Sequence, residues 1–156
     1  MIILGLDPGI ERLGWGLVEC ERGKYSYIDC GCIKTPRGKS QSERLSLLSR
    51  ALVKLIKDAK PDRAHIEKLF FAKNKKTALG VAEARGAILK TLFDAHLAVR
   101  EFTPLEVKMS LTGNGRAEKR QVAWMVRNIL KIREKISSDD ALDALALSIM
   151  MKNEVN

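Results

Sequence analysis

The chain has few of the side chains on which several kinds of active site depend. Only two histidines occur in 156 residues, so a hydrolase built on a Ser-His-Asp triad would have little to draw on. The three cysteines lie in strand-like sequence without Cys-x-x-Cys spacing, which favours reduced thiols over disulfides or a zinc site. No apolar run is long enough to span a bilayer, and no signal peptide precedes the first apolar run. We therefore expect a cytoplasmic protein.

Acidic residues are also outnumbered. The chain has 28 lysines and arginines against 19 aspartates and glutamates, which gives a net charge of +9 at pH 7. Such a surplus points to an acidic partner, and nucleic acid is the commonest one. A basic protein whose charge only keeps it in solution is the alternative at this point.

The order of apolar patterns predicts a single α/β domain over residues 1–156, with a frayed tail over 152–156. Three short runs rich in Ile, Val, Tyr, Trp and Cys suit an antiparallel meander, and helices and strands then alternate. We expect a mixed five-stranded sheet with helices on both faces. The predicted strands are Ile2–Asp7, Gly14–Glu19, Lys24–Lys34, Arg63–Leu69 and Leu97–Phe102. The predicted helices are Gln41–Lys60, Lys75–Ala95, Ala117–Ile132 and Asp139–Met151, with a loop at 113–115.

Four acids lie within apolar sequence, where a charged side chain needs a reason. Asp7 ends the first strand, Glu67 follows Ile66 in the fourth, and Asp140 and Asp143 share one face of the last helix. Burying an ionised carboxylate costs several kcal/mol unless something neutralises it. Carboxylate oxygens are hard ligands of the kind that Mg²⁺ and Mn²⁺ prefer. Acids of this kind in a basic protein suggest divalent metal ions working on a polyanion.

Each acid also has an ordinary explanation. Asp7 could hydrogen-bond its own backbone in an Asp-Pro-Gly turn, and Glu67 could be a charge that faces water at a strand edge. Asp140 could stabilise the first turn of a helix, in a capping pair with Ser137. Asp143 fits that explanation less well, since it lies further into the helix between alanine and leucine.

Basic side chains are concentrated in two segments that could bind DNA. Most of them belong to solvated faces, but Lys119 shares a helical stripe with Val122 and Val126 and so points towards the packed side. Phe70 could stack on unpaired bases, while its neighbour Phe71 is the better candidate for the core. The basic residues that we single out are Lys73, Lys75, Lys76, Lys108, Arg116, Lys119 and Arg120.

Taken in order, these motifs make the sequence resemble the RuvC family of Holliday-junction resolvases over nearly its whole length. The resemblance rests on Gly5-Leu-Asp7-Pro-Gly9 with Gly14-Trp-Gly16, on Ile66-Glu67-x-x-Phe70-x-Ala-Lys-Asn74, on Ala84-Arg-Gly86, on Thr112-Gly-x-Gly-Arg-Ala-x-Lys119-x-Gln-Val122, and on Asp140-Ala-Leu-Asp143-Ala-Leu-Ala146. The Asp-x-Gly element alone would be weak, because actin-like ATPases and other ribonuclease H-like nucleases share it. The full set is specific.

The resemblance implies a ribonuclease H-like fold and a homodimeric, Mg²⁺-dependent endonuclease that cuts two strands of a four-way DNA junction symmetrically. Mn²⁺ would also support activity, and a branch-migration complex of the RuvA and RuvB type would be a partner. Asp7, Glu67, Asp140 and Asp143 match the acidic metal-binding positions of the family. Lys108 and Lys119 match basic positions near its catalytic centre, and Phe70 matches an aromatic that contacts junction bases. Asp139 departs from the pattern and leaves the choice between it and Asp140 open, although helical facing favours Asp140.

Three other functions remain to be distinguished at this point: a ribonuclease H-like nuclease acting on structured RNA, a junction-binding protein without cleavage, and half of an actin-like ATPase. The acids argue against a mere binder, because DNA binding gains nothing from clustered carboxylates. An actin-like ATPase needs two similar domains. Two symmetric cuts need two sites, so we expect a dimer. Its contact would be the smooth stripe of Ala78, Ala82, Gly86 and Leu89, unless that stripe packs on its own sheet.

Overall fold

A five-stranded mixed sheet lies at the centre of the protein. The computed structural model describes residues 1–68 and 75–150, with the side chains of residues 75–77 left out. The strands are β1 (Ile2–Asp7), β2 (Arg12–Glu21), β3 (Lys24–Lys34), β4 (Arg63–Glu67) and β5 (Ala98–Phe102). Their order in the sheet is β3-β2-β1-β4-β5. The first three pair antiparallel, while β1, β4 and β5 are parallel, which confirms the predicted meander and mixed sheet.

Five helices cover the two faces of this sheet. They are α1 (Gln41–Ala59), α2 (Lys75–Asp94), α3 (Pro104–Thr112), α4 (Lys119–Ile129) and α5 (Asp139–Ser148). One core packs Leu4 and Leu6 of β1 against α1 and α2. The other packs Ile3 against α4 and α5. Successive β1 side chains thus enter opposite cores, as strand alternation requires, and helices on both faces are confirmed.

Helix α3 is absent from the sequence-based prediction, which ended the ordered pattern at Pro104. Thr103 and Glu106 form a capping box, in which Thr103 Oγ1 accepts from the Glu106 backbone N–H at 3.2 Å and Glu106 Oε2 accepts from the Thr103 N–H at 2.7 Å. Proline at the first helical position needs no hydrogen-bond partner for its nitrogen. Pro104, which follows the predicted fifth strand and to which the prediction assigned no element, therefore begins a helix.

Several boundaries also differ from the prediction by one to three residues. Helix α4 begins at Lys119 rather than 117, because Glu118 occupies the N-cap position. It ends before Lys131, whose φ of 53° leaves the helical region. Strand β2 begins at Arg12, two residues earlier than predicted, and β4 ends at Glu67. The predicted tail at 152–156 lies outside the described residues. Within residues 1–68 and 75–150, no helix is long and apolar enough to cross a membrane.

Candidate metal centre

The four acidic candidates come together at one edge of the sheet. Asp7 ends β1 and Glu67 ends β4, and these neighbouring parallel strands pair Leu6 with Ile66, so their carboxyl ends lie side by side. Asp140 and Asp143 lie in the first two turns of α5, which packs across β1 and β2. Acids that are far apart in sequence therefore meet at the place where open α/β sheets usually bind ligands.

Glycines on one face of the sheet allow α5 to approach this closely. Gly5 lies two residues before Asp7, and Gly14 is paired with Asp7 across β1 and β2. A Cβ added at Gly5 would collide with the carbonyl oxygen of Ala144, and one at Gly14 with the carbonyl oxygen of Asp140. Helix and sheet backbones are in direct contact there, which brings the α5 acids to the end of β1.

Asp7 carries the largest electrostatic perturbation of the cluster. Burial, together with the charges of Glu67, Asp143 and Asp140 in that order, raises its pKa from 3.8 to about 8. Lys119 acts in the opposite direction but does not cancel them. Asp7 therefore sits within a concentration of negative charge that its surroundings leave largely uncompensated.

Glu67 and Asp143 share this environment. Burial raises the pKa of both, and the charge of Asp143 adds to the effect at Glu67. Lys119 Nζ lies 2.8 Å from Asp143 Oδ2 and partly offsets the shift. Partial burial by itself would lower the pKa of Lys119, but its hydrogen bond to Asp143 and the charges around it raise that pKa. The prediction that Lys119 points towards a partner on the packed side agrees with this contact.

Asp140 and Asp139 differ in what they face. The Asp140 side chain is 31% exposed and its charge acts on Asp7, whereas Asp139 is 77% exposed, lies 3.7 Å from Lys119 and acts on Asp143. Arg12 Nη1 lies 3.7 Å from Asp140 Oδ2, and the thiol of Cys32 lies 4.0 Å from the same oxygen. The geometry favours Asp140 as the acid that faces the cluster.

The predicted basic and aromatic site residues do not all lie beside the acids. Lys108 lines a cavity of about 250 Å³ together with Glu67, Lys119 and Asp143, so it lies beside the acids. Arg116 and Arg120 are exposed on and next to the N-terminus of α4, where Arg120 lies 3.5 Å from Glu118. Phe70, Phe71 and Lys73 lie outside the described residues, and the side chains of Lys75 and Lys76 are not described.

The donor set fits a divalent cation. Three carboxylates whose pKa values are raised by burial and by one another need positive charge, and carboxylate oxygens suit hard cations. Among the described residues, no three His, Cys, Asp or Glu side chains stand close enough to enclose a metal ion as they are. Mutually repelling acids are expected to spread in this way, and Lys119 and Arg12 each draw one of them aside.

Comparison with known proteins shows the family to which the chain belongs. Residues 3–151 match the sequence model of the family described as crossover junction endodeoxyribonuclease RuvC. The chain belongs to the RuvC family. It is 44% identical to the enzyme of that name from Halothermothrix orenii over 153 residues, which cover 98% of this chain and 93% of the relative. Nucleases of this family are metal-dependent.

Solved structures of RuvC proteins share the fold. A Thermus thermophilus RuvC in complex with a Holliday junction substrate is 32% identical, with a TM-score of 0.88 over 96% of this chain and 91% of that one. A yeast mitochondrial Holliday junction resolvase, 13% identical with a TM-score of 0.69 over 94% of this chain and 75% of that one, shares the fold. The expected ribonuclease H-like architecture is confirmed.

Sequence reasoning did not find Arg12, although it contacts an acid of the cluster. Its signal was available, because Arg12 lies two residues before Gly14 and strand alternation puts both on the face of Asp7. The prediction began β2 at residue 14 and so left Arg12 in a turn. A strand two residues longer would have placed it beside the acids.

Proposed function

We propose that this chain resolves Holliday junctions by metal-dependent hydrolysis of phosphodiester bonds in two DNA strands, during homologous recombination and DNA repair. The observation that carries the proposal is the carboxylate cluster at the sheet edge, with Lys119 against Asp143 at 2.8 Å, in a chain of the RuvC family. A protein that only bound junctions would gain nothing from acids that raise one another's pKa.

Asp7, Glu67, Asp140 and Asp143 would hold the metal, for which we propose Mg²⁺, with Mn²⁺ as a substitute. Bound divalent cations supply an activated water and stabilise the leaving 3′ oxygen of the scissile phosphate. The protein contributes the anionic site itself, which the glycine face of β1 and β2 assembles. Lys119, already placed against Asp143, contributes a positive charge next to the phosphate.

We assign the DNA contacts beside this centre to basic side chains near α3 and α4. Lys108 lines the same cavity as Glu67, and Arg116 and Arg120 extend positive charge outward into solvent. Phosphate contacts of this kind supply affinity independent of sequence. We add the stacking residue Phe70 from the family motif, and the basic residues Lys73, Lys75 and Lys76 from the lysine cluster that follows Glu67 in sequence.

We further propose that two copies act as a homodimer through α2. Leu79 and Phe93 are 70% and 78% exposed, and a side chain at Gly86, midway between them, would meet nothing within 4 Å. Seven-residue spacing puts the three on one helix face, so α2 presents an apolar stripe that nothing covers within residues 1–68 and 75–150. Leu89, which the sequence assigned to this stripe, packs partly against the core of α1 and α2. One acid cluster per chain and two symmetric cuts require such a pair.

The remaining parts of the proposal concern setting and partners. We take residues 1–156 to work as one nuclease domain in the cytoplasm, where the DNA of bacteria lies. We expect a branch-migration helicase complex of the RuvA and RuvB type to present the junction, which co-sedimentation with such a complex on junction DNA would test.

A synthetic four-way DNA junction tests the function. The chain should cut two opposed strands in the presence of Mg²⁺, leave linear duplex intact, and stop when EDTA is added. Glu67→Gln should bind the junction without cutting it. A shift of the junction without Mg²⁺-dependent cleavage by the unaltered chain would contradict the proposal, as would preference for structured RNA.

Phe93→Glu tests the dimer. The variant should sediment as a folded monomer and lose paired cuts while retaining the circular dichroism of the unaltered chain. Val53→Glu, at a residue of α1 that is 40% exposed, is the matched control and should stay dimeric. An unaltered chain that makes paired cuts as a monomer at micromolar concentration would rule out this assembly.

A further inference from the structure

Two basic side chains face each other at the end of the β2–β3 hairpin nearest the acids. Arg12 of β2 is directly paired with Lys34 of β3, and two residues further in, Gly14 is paired with both Cys32 and Asp7. Because side chains alternate along a strand, Arg12 and Lys34 share the face that carries Asp7. Both are exposed.

This basic pair lies on the other side of the acids from Lys119 and Lys108. The strand order places β2 and β3 on one side of β1, and β4 with the Lys119 cavity on the other. Arg12 Nη1 reaches Asp140 at 3.7 Å, while Lys119 Nζ reaches Asp143 at 2.8 Å. The cluster is therefore flanked by positive charge on both sides.

The charge of the pair is available to a ligand. Among the described residues, no carboxylate lies within ion-pairing distance of Lys34. Glu11, the acid next to Arg12 in sequence, is bound instead by Arg37, whose Nε and Nη2 donate to Glu11 Oε2 at 3.2 and 2.9 Å. Asp140 is the one described acid that Arg12 contacts, and it belongs to the cluster itself.

The backbone beneath the pair is held in place by contacts between the two loops next to it. Thr35 Oγ1 donates to the carbonyl oxygen of Ile10 at 2.5 Å, and the Thr35 backbone N–H donates to the carbonyl oxygen of Glu11 at 3.1 Å. Arg44 Nε of α1 in turn donates to Thr35 Oγ1 at 3.1 Å. These bonds lock the residues before Arg12 to the residue after Lys34, so the backbone that carries the two charges is held in place before a ligand arrives.

We propose that Arg12 and Lys34 bind the phosphate backbone of the DNA that crosses the carboxylate cluster, on the side opposite Lys119. The inference rests on the proposed function, because it takes the DNA to lie over these acids. Two cations beside a concentrated anionic site reduce the repulsion that a polyanion meets as it approaches that site. The pair would therefore position a strand, while the acids perform the chemistry.

The test is the salt dependence of binding to a synthetic four-way junction in EDTA. Each phosphate contact contributes about −0.9 to the slope of log affinity against log salt, so Arg12→Gln/Lys34→Gln should reduce the slope by roughly 2. The same relation makes each lost contact worth roughly 8-fold in affinity at about 0.1 M salt. Lys34→Gln alone should show half the change in slope, and it leaves the Asp140 contact intact.

The other end of the same hairpin offers a control of equal charge. Arg22→Gln/Lys24→Gln removes two cations from the β2–β3 turn, roughly 33 Å along the strand from Arg12. Its slope should match that of the unaltered chain. Equal slopes for both double variants would overturn the inference, because only net charge would then matter. An unchanged slope for Lys34→Gln would also overturn it, because Lys34 would then contact no phosphate. Arg12 would remain only as the ion-pair partner of Asp140.

The same assay separates this inference from the proposed function. Failure of the unaltered chain to bind or cut junctions would refute the proposed function, and the inference with it. Normal binding and cutting by the unaltered chain, with no difference between the variants and their control, would refute the inference alone.

Discussion

The surroundings of Asp7 oppose its negative charge, and the effect on stability can be measured without any substrate. Its pKa is raised from 3.8 to about 8 by burial and then by the charges of Glu67, Asp143 and Asp140. A carboxyl whose pKa is higher in the folded state stabilises the fold while protonated. That contribution is complete below pH 3.8 and is lost as the pH rises towards 8. The metal-free protein should therefore lose stability over this range.

Asp7→Asn removes the charge while keeping the shape of the side chain. Each pH unit between 3.8 and neutrality corresponds to about 1.4 kcal/mol, so at pH 7 the lost stability approaches about 4 kcal/mol as an upper limit. The metal-free variant should exceed the unaltered chain in free energy of unfolding by up to this amount at pH 7. At pH 4 the two should be nearly equal, because Asp7 is then protonated in the folded chain.

Metal reverses the order of the two proteins. A ligand present at about 100 times its Kd stabilises a folded protein by about 2.7 kcal/mol, so excess Mg²⁺ should stabilise the unaltered chain and have little effect on Asp7→Asn. Urea unfolding in EDTA at several pH values gives the first comparison, and thermal melts with Mg²⁺ give the second. Asp58→Asn is the control, since Asp58 is 63% exposed and its ion pair with Lys54 on α1 should contribute less than about 1 kcal/mol.

Two results would refute this reasoning. A metal-free Asp7→Asn that is less stable than the unaltered chain at pH 8 would mean that hydrogen bonds at Asp7 outweigh its electrostatic cost. An Asp7→Asn that still cuts junctions in Mg²⁺ would mean that Asp7 does not hold the metal. The first result would leave the assignment of function intact, and the second would not.

Three further results are expected. Asp143→Asn should abolish junction cleavage in Mg²⁺ and leave binding in EDTA within a few-fold of the unaltered chain, because the basic residues supply the affinity. If the variant still cut junctions, Asp143 would not be a metal ligand. Gly5→Ala should destabilise the protein by several kcal/mol in urea, since its Cβ would meet backbone of α5, whereas Gly38→Ala, with no atoms nearby, should be close to neutral. Burial lowers the pKa of His65 from 6.5 to about 4. As the pH falls, His65 is therefore protonated in the unfolded state before it is protonated in the folded state. Relative to His65→Gln, the unaltered chain should lose up to about 3 kcal/mol of stability between pH 6.5 and 4, and parallel pH profiles would contradict this.

Sequence reasoning found the acids because each stands where its residue type is disfavoured. Asp7 and Glu67 end apolar strands, and Asp143 interrupts an alanine and leucine helix. Parallel pairing of β1 with β4 could be anticipated from the alternation of strand and helix, which puts the two strand ends at one edge. What the pattern could not give was the distance of α5 from the sheet. That distance depends on which residues have no side chain on the contacting face, and the role of Gly5 and Gly14 became visible only with the helix in place.

The missed elements have a common cause. Thr103 and Glu106 form a capping box around Pro104, but the proline was interpreted as the end of a pattern rather than the first residue of α3. Arg12 was assigned to a turn for a similar reason, since Gly9 precedes it and turn residues blur the start of a strand. For Arg12, the register of β2 with its neighbours decided the outcome, whereas for Pro104 the capping box of Thr103 and Glu106 did.

The contact that builds the centre also limits its stability. Close packing of α5 on the glycines of β1 and β2 buries a large apolar surface, yet the same approach presses Asp140 and Asp143 towards Asp7. Lys119 and Arg12 relieve part of that repulsion from two sides, at 2.8 and 3.7 Å from their acids. A hydrophobic residue at Asp7 would remove the conflict, but it would also remove the charge that attracts a cation. In the proposed function the uncompensated charge is what attracts the metal, and the fold tolerates it because the packing beneath it is extensive.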